Sequence, residues 1–310
     1  MNDTIVAIAT AFGNAPIAVI RLSGEDAIAI CSKVFDNPNI KRAQSHRVYY
    51  GHIHYGQDTI DEVLVSVFKA PKTFTAEDVV EISCHGGNYI TNRILECLLD
   101  VGARLAEPGE FTKRAYLNGR IDLTQAEAVM DMIEAQTKNS LKMAQNGLFG
   151  KTKEIIESVH QRLLECIAKI EVNIDYPEYD SEETIGQNEI KPLLLSLREE
   201  CEQILINKEV SQLIKHGIKT ALIGLPNVGK SSLLNALLRE EKAIVTNIAG
   251  TTRDVVEGSI NIGGVILHLM DTAGIRETFD EVEKIGVEKT KKVIRETDII
   301  ILIFDYSKAL

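Results

Sequence analysis

Lys230 and Ser231 close the octapeptide Gly224-Leu-Pro-Asn-Val-Gly-Lys-Ser231, which has the spacing G-x-x-x-x-G-K-S. The apolar run Ile218-Lys-Thr-Ala-Leu-Ile223 precedes it, so the glycine loop falls where a strand should pass into a helix. Backbone N–H groups of such a loop converge on a β-phosphate, a lysine reaches the β/γ oxygens, and the final hydroxyl ligates Mg2+. Asn227, Val228, Gly229, Lys230, Ser231 and Ser232 are therefore the expected phosphate-side contacts. Downstream, Asp271-Thr272-Ala273-Gly274 offers a carboxylate to orient the metal hydration shell and a glycine amide to sense a γ-phosphate. Between the two lies Thr251-Thr252-Arg253-Asp254. A threonine there can give a hydroxyl to Mg2+ and a carbonyl that closes over the γ-phosphate; Thr252 is the first choice and Thr251 the second. Motifs of these types in this order point to a nucleoside-triphosphate switch.

The residue after Gly274 is Ile275, where a Ras-type hydrolase places the glutamine that orients the attacking water. Isoleucine cannot do this. Either a partner completes the site, or another residue and an ion replace glutamine; Arg276, Glu277, Asp280, Glu281 and Glu283 follow in the same segment.

The elements that must position these groups fall into three regions, a multidomain α/β organisation. Residues 1–118 read as an α+β domain. Strands are expected at Thr4–Thr10, Ile17–Leu22, Arg47–Tyr55, Glu62–Phe68 and Val79–Cys84, and helices at Glu25–Phe35 and Asn88–Leu99. Several strands follow one another without a crossover helix, which predicts an antiparallel or mixed sheet. Residues 119–216 read as a helical domain. It opens on a capping-box pattern at Asp122-Leu-Thr-Gln125. The stripe Ile155, Val159, Leu163, Cys166, Ile170 and Ile174 predicts a packing face over Lys151–Ile174, and a further helix is expected at Ile190–Ile214. Asp175–Glu189, acidic with Pro177 and Gly186, reads as an exposed loop. Residues 217–310 read as an incomplete Ras-like P-loop domain: strand, loop, helix, a hairpin turning at Gly263-Gly264, a helix at Glu281–Arg295 and the apolar strand Ile299–Phe304.

The chain has 310 residues, 45% apolar and 25% charged, with a formal net charge of -11. An acidic average disfavours a protein whose whole surface grips a phosphate backbone, so any nucleic-acid role should rest on a small patch or on a partner. Five scattered cysteines form no C-x-x-C pair and fit neither a disulfide framework nor a zinc ribbon. No signal-peptide pattern and no long apolar run occur, so the chain reads as soluble and cytoplasmic.

Asn-Val-Gly-Lys-Ser231, Gly250-Thr-Thr-Arg-Asp254 and Asp271-Thr-Ala-Gly-Ile-Arg-Glu277 together resemble the bacterial tRNA uridine-modification GTPases of the MnmE/TrmE family. The N-terminal half carries the same resemblance in Asp3-Thr-Ile-Val-Ala-Ile-Ala-Thr10, Ile20-Arg-Leu-Ser-Gly24, Glu77-Asp-Val-Val-Glu-Ile-Ser-Cys-His-Gly-Gly87 and the run Pro108–Ala128. The resemblance implies an N-terminal domain that binds a tetrahydrofolate derivative (5-formyl- or 5,10-methylene-tetrahydrofolate) and forms a homodimer. It implies a helical domain into which the GTPase domain is inserted. It also implies a heterotetramer with the FAD-dependent partner MnmG, in which an aminomethyl or carboxymethylaminomethyl group is added to C5 of the wobble uridine of tRNA.

For hydrolysis the resemblance implies GTP as substrate, Mg2+ held by Ser231 and Thr252, and K+ held by Asn227 and switch-loop groups of Thr246, Ile248 and Thr251. Such a cation offsets phosphate charge without an arginine finger. Glu283 matches the glutamate that orients water, and Lys230 and Arg276 complete the expected catalytic set. Arg21, Glu81 and Arg120, charged residues in matching segments, are the expected folate contacts. His85, at a strand end, is expected to make a local hydrogen bond rather than act as acid or base.

Departures from the family pattern fall in two places. Thr10-Ala-Phe-Gly-Asn-Ala-Pro-Ile17 lacks the usual glycine-rich turn, and Thr73-Phe-Thr-Ala-Glu-Asp78 replaces Ser-Tyr-Thr-Gly-Glu-Asp. No N-K-x-D base-recognition motif occurs, so the chain is expected to be C-terminally truncated, with weak or no nucleotide turnover. Two alternatives stay open: a ribosome-assembly-type RNA-binding GTPase, and a non-catalytic folate-binding or dimerisation module.

Overall fold

The computed structural model describes residues 3–175, 186–224, 228–239, 258–271 and 297–305. The chain divides into two units, Met1–Ala126 and Glu127–Leu310.

Period-two alternation builds the sheet of the first unit. In β2 (Ala15–Ser23) the side chains of Ala18, Ile20 and Leu22 are buried; in β5 (Val79–Gly86) those of Val80, Ile82 and Cys84 are. The residues between them, Arg21 and Glu81 included, face the other way. With β1 (Ile5–Ile8), β3 (Arg47–Tyr55), β4 (Asp58–Phe68) and β6 (Arg104–Leu105), these strands form a six-stranded sheet in the order β3-β4-β5-β2-β1-β6. Every pairing is antiparallel except β1 with β6, so the sheet is mixed, as expected. Helices α1 (Ala27–Val34) and α2 (Asn88–Asp100) bury Ile30, Cys31, Val34, Ile94, Cys97 and Leu98 against its apolar face. Fully burying one such side chain contributes about 1.5–3 kcal/mol, so this face holds the unit together.

The helix α3 (Glu110–Leu117), not signalled by any strong apolar period, owes its place to charge. Arg114, 1% exposed, donates to Asp3 Oδ1 at 2.8 Å, to Glu110 Oε1 at 3.1 Å and to Glu77 Oε2 at 3.2 Å. Glu77 also accepts from Ser23 Oγ at 2.8 Å, and Thr75 Oγ1 lies 2.6 Å from the same hydroxyl. This network fixes the loop Thr73–Asp78 above the sheet. Inside the loop Ala76 has φ 60°, a left-handed conformation that costs a non-glycine residue about 1–2 kcal/mol. Replacing Ala76 with Gly is expected to stabilise the protein by about 1 kcal/mol, less than the full relief because glycine also frees the unfolded chain. Urea unfolding checks this; an unchanged or lower midpoint would count against strain at this position.

The Asp122–Gln125 capping box forms as read: Gln125 N–H donates to Asp122 Oδ1 at 2.9 Å and Asp122 N–H to Gln125 Oε1 at 3.0 Å, starting α4 (Leu123–Glu134). In the second unit, α5 (Lys138–Leu148) is capped reciprocally by Thr137 and Ser140. Two long helices follow, α6 (Lys151–Asp175) and α7 (Lys191–His216), linked by Arg162, which donates to Glu200 Oε2 at 2.5 Å and to Ser196 Oγ at 3.1 Å. The apolar stripe of α6 packs less than its spacing predicts: Cys166 is buried, but Ile155, Leu163, Ile170 and Ile174 remain exposed. The loop expected at Asp175–Glu189 is corrected at its end, where Gly186–Ile190 makes a π-helical turn that feeds α7; residues 176–185 lie outside the described residues. Gly217 ends α7 at φ 75°, and a Cβ there would meet the His268 ring at 2.7 Å.

A four-stranded sheet completes the second unit: β7 (Ile218–Gly224), β8 (Gly258–Ile262), β9 (Val265–Asp271) and β10 (Ile299–Ile303), in the order β10-β7-β9-β8. The central β7 runs parallel to β10 and β9, while β8 and β9 form the expected hairpin through Gly263-Gly264. Helix α8 (Lys230–Arg239) follows β7. The helix read at Glu281–Arg295 lies outside the described residues. Among the described residues no helix is long and apolar enough to cross a membrane.

Candidate functional sites

The sequence places Gly224 at the carboxyl end of β7, a strand with parallel neighbours on both sides. In open α/β sheets ligands bind in the crevice at this end. Gly224 has no room for a side chain: a Cβ would lie 2.5 Å from the Ile303 carbonyl oxygen and 3.0 Å from Val228 Cγ2. Gly229 takes φ 95°, which only glycine adopts readily, and lets the chain turn directly into α8. Lys230, 8% exposed, points its ammonium back and donates to the Gly224 carbonyl at 2.7 Å. Ser232 is exposed on the first turn of α8. Register pairs Leu222 with Asp271, so β7 and β9 finish at the same carboxyl end of the sheet. Lys230 and Val228 are thus brought against Gly224, two residues beyond the position paired with the Asp271 backbone.

Of Ser231 and Asp271 only the backbone is described. Asn227, Thr246, Ile248, Thr251, Thr252, Thr272, Ala273, Gly274, Arg276 and Glu283 lie outside the described residues.

The first unit carries a cavity of about 470 Å³, and Arg21, Glu81 and Arg120, named from the sequence, all line it. Arg21 and Glu81 are cross-strand partners of β2 and β5, and Arg21 Nε donates to Glu81 Oε1 at 2.8 Å. Phe111 lies under the Arg21 guanidinium, 5.8 Å from Cζ to ring centroid. Arg120 stacks over Phe74 at 5.4 Å. Phe68, Pro71, Lys72 and Thr73 complete the wall, together with Phe74 and Val79. Sequence reasoning did not name Lys72, Phe68 or Phe74 as contacts. Of these only Phe74 lies in Thr73–Asp78, the segment that stood out by its departure from the family pattern, and a departure does not say which side chains face a cavity. The arrangement offers three cationic side chains and one carboxylate, which is already paired with Arg21, around phenyl rings. Such a wall suits a flat, aromatic, anionic ligand.

His85 makes the local hydrogen bond expected of it: its Nδ1 lies 2.7 Å from Asp61 Oδ1, and its backbone N–H donates to Asp61 Oδ2 at 2.8 Å. The hydrogen bond to Asp61, with that carboxylate's charge, holds the imidazole pKa above its ordinary value.

Residues 4–120 match the family described as GTP-binding protein TrmE N-terminus, and residues 123–303 match the MnmE helical domain, a match that runs on through the four-stranded sheet. The chain is 54% identical over 308 residues to the tRNA modification GTPase MnmE of Streptococcus thermophilus, covering 99% of this chain and 68% of that protein. It is 52% identical over 310 residues to the same-named protein of Ligilactobacillus salivarius, covering 99% and 67%. With that of Bacillus cereus it shares 51% over 311 residues, covering 99% and 68%. Both units and the glycine loop thus fall within one continuous similarity, and the chain belongs to the MnmE family of tRNA modification GTPases.

Proposed function

We propose that this chain is the GTP-hydrolysing component of a tRNA-modifying complex that adds a carboxymethylaminomethyl or aminomethyl group to C5 of the wobble uridine, drawing its one-carbon unit from a tetrahydrofolate derivative. The observation that carries the proposal is the placement of Lys230, its ammonium folded onto the Gly224 carbonyl at 2.7 Å at the end of a strand flanked by parallel neighbours. This placement supports reading the loop as a phosphate cradle, with residues 217–310 as the P-loop part of the protein. The family relationship, not a base-recognition motif, makes guanine the base.

Residues 1–118 act as the folate-binding and dimerising part, and 119–216 as the first stretch of the helical part. The cavity fits the folate reading by its donor set. Phe74, under Arg120, and Phe68 give the wall aromatic surface for a fused ring, while Arg120 and Lys72 would answer the carboxylates of a glutamyl tail. Mg2+ would be held by Ser231 and Thr252, and K+ by Asn227, Thr246, Ile248 and Thr251; together they would supply positive charge to the transferring phosphoryl group. Dimerisation, assembly with MnmG and tRNA binding belong to the same reading.

Titration of the purified chain with 5-formyl-tetrahydrofolate and with a fluorescent GTP analogue tests the two halves separately. Arg120→Ala is expected to weaken folate binding by about 10-fold or more, the loss of a charge-assisted contact of roughly 1.5–3 kcal/mol, and to leave nucleotide binding unchanged. Equal folate affinity in the variant and the parent would remove the cavity from the proposal.

A further inference from the structure

We propose that Asp36, His52 and His54 form a binding site for a divalent transition ion of the Zn2+ type, at the outer edge of the six-stranded sheet and distinct from the residues that line the cavity.

The site is built by the backbone. His52 and His54 stand two residues apart on β3, so both imidazoles leave the same face of an edge strand. Just past α1 the chain joins that edge: Phe35 bridges to Ile53, and Asp36 N–H donates to the His52 carbonyl at 3.1 Å. His52 N–H in turn donates to Asp36 Oδ1 at 2.8 Å, which leaves Oδ2 turned toward the rings. Gly51 makes this approach feasible, since a Cβ there would run into the Asp36 carboxylate and the Phe35 ring.

Asp36 Oδ2 lies 3.0 Å from His52 Nδ1 and 3.4 Å from His54 Nε2, and the three ligand atoms all fall within 4.8 Å of one another. Ligands held about 2.0–2.1 Å from one Zn2+ sit about 2.9 Å apart at a right angle and about 3.4 Å apart at a tetrahedral one. The two carboxylate–imidazole separations match those spans, and the two imidazole nitrogens lie within 4.8 Å of each other.

A neighbouring hydroxyl can hold the ligating tautomer. Thr59, the cross-strand partner of His54, places Oγ1 3.1 Å from His54 Nδ1. When that hydroxyl accepts the Nδ1 proton, Nε2 is left with a lone pair directed at the carboxylate side, the form that can ligate a cation. Ligating histidines are commonly oriented in this way by a second hydrogen bond. Two imidazole nitrogens and one carboxylate select borderline ions; hard cations such as K+ and Mg2+ prefer all-oxygen sets, so this site does not compete for the ions of the nucleotide reading. Bound metal would tie the end of α1 to the exposed edge of β3.

Isothermal titration of the full 310-residue chain with Zn2+, repeated on His52→Gln, His54→Gln and the double variant, tests the assignment. Both side chains are part-exposed, so unchanged far-UV circular dichroism should accompany the substitutions. The expected result is that each single variant binds at least 10-fold more weakly and that the double variant loses one equivalent. Zn2+ should also raise the unfolding midpoint of the parent but not of the double variant. Co2+ should give the absorption of a low-coordinate nitrogen–oxygen site only in the parent. Zn2+ affinity within twofold between parent and double variant would overturn the proposal, as would a parent that binds no Zn2+, in which case the cluster merely shares protons.

Discussion

Arg114→Met is expected to destabilise the N-terminal unit by about 3–5 kcal/mol, the range for removing one partner of a buried charge cluster. Methionine fills much of the volume but leaves half-buried Glu77 without its guanidinium and Glu110, itself 4% exposed, with Arg104 as its one remaining guanidinium among the described residues. It also releases the Asp3 carbonyl, to which Arg114 donates at 2.8 Å. Arg104 remains beside Glu110, with Nη2 at 2.5 Å from Oε1, but it cannot reach into the position Arg114 occupies between three carboxylates.

The loss should depend on pH with a definite sign. The hydrogen bond from Arg104, reinforced by the Glu107 N–H and by Arg114, holds the Glu110 carboxyl down to about 2 against the opposing effect of burial. A carboxyl depressed in the folded state contributes stability above its unfolded value near 4.5, and the contribution fades as pH falls through about 2. Asp3, lowered chiefly by its hydrogen bond to Arg104, follows the same sign. Urea unfolding at neutral pH should therefore show the full deficit of Arg114→Met, and unfolding in acid a smaller one. A deficit below 1 kcal/mol at neutral pH would mean that packing, not charge, holds α3 in place.

Lys230→Ala should cost about 10²–10³-fold in GTP turnover, the scale for removing one preorganised charge from a transferring phosphoryl group. In the structure the ammonium donates to the Gly224 carbonyl, so alanine removes a partner from that carbonyl without opening the apolar core of Leu222, Leu234, Ile260 and Leu269. Stability should change little while nucleotide affinity and turnover collapse. Phosphate release in potassium buffer, read beside thermal unfolding, separates the two. Turnover within threefold of the parent would show that Lys230 serves the loop and not the phosphate.

Much of this architecture was legible in the residues because its signals are local. β3 begins and ends where its pattern predicts, at Arg47 and Tyr55, and the Asp122–Gln125 box marks the start of α4. Gly263-Gly264 turns the hairpin. What stayed hidden depends on distant partners. Helix α3 is placed by ion pairs reaching back to Asp3 and Glu77, which no periodicity reveals. The stripe on α6 announced a buried face, yet Ile155 and Ile174 stay exposed, since a spacing shows which side is apolar and not what covers it. Arg21, Glu81 and Arg120 were reachable through motif segments, whereas Lys72 and Phe74 enter the cavity only through the course of a loop that Glu77 anchors. The Asp36–His52–His54 cluster joins a helix end to a strand edge. Its two histidines are alternate residues of β3, but nothing in their spacing points to Asp36 as their carboxylate.

The closing strand pair of the first unit sets an order on its making. Ile5 pairs with Arg104 and Val6 with Leu105, and Asp3 waits for Arg114, 111 residues further on. A polypeptide emerging amino-end first thus presents β1 long before its parallel neighbour exists. Until β6 leaves the ribosome one edge of β1 has no parallel neighbour, and until α3 follows it the carboxylates of Asp3 and Glu77 have no Arg114. The unit should therefore reach protease resistance abruptly, when residues near 120 clear the exit tunnel, rather than strand by strand. Nascent chains arrested shortly before and shortly after that point would show the step.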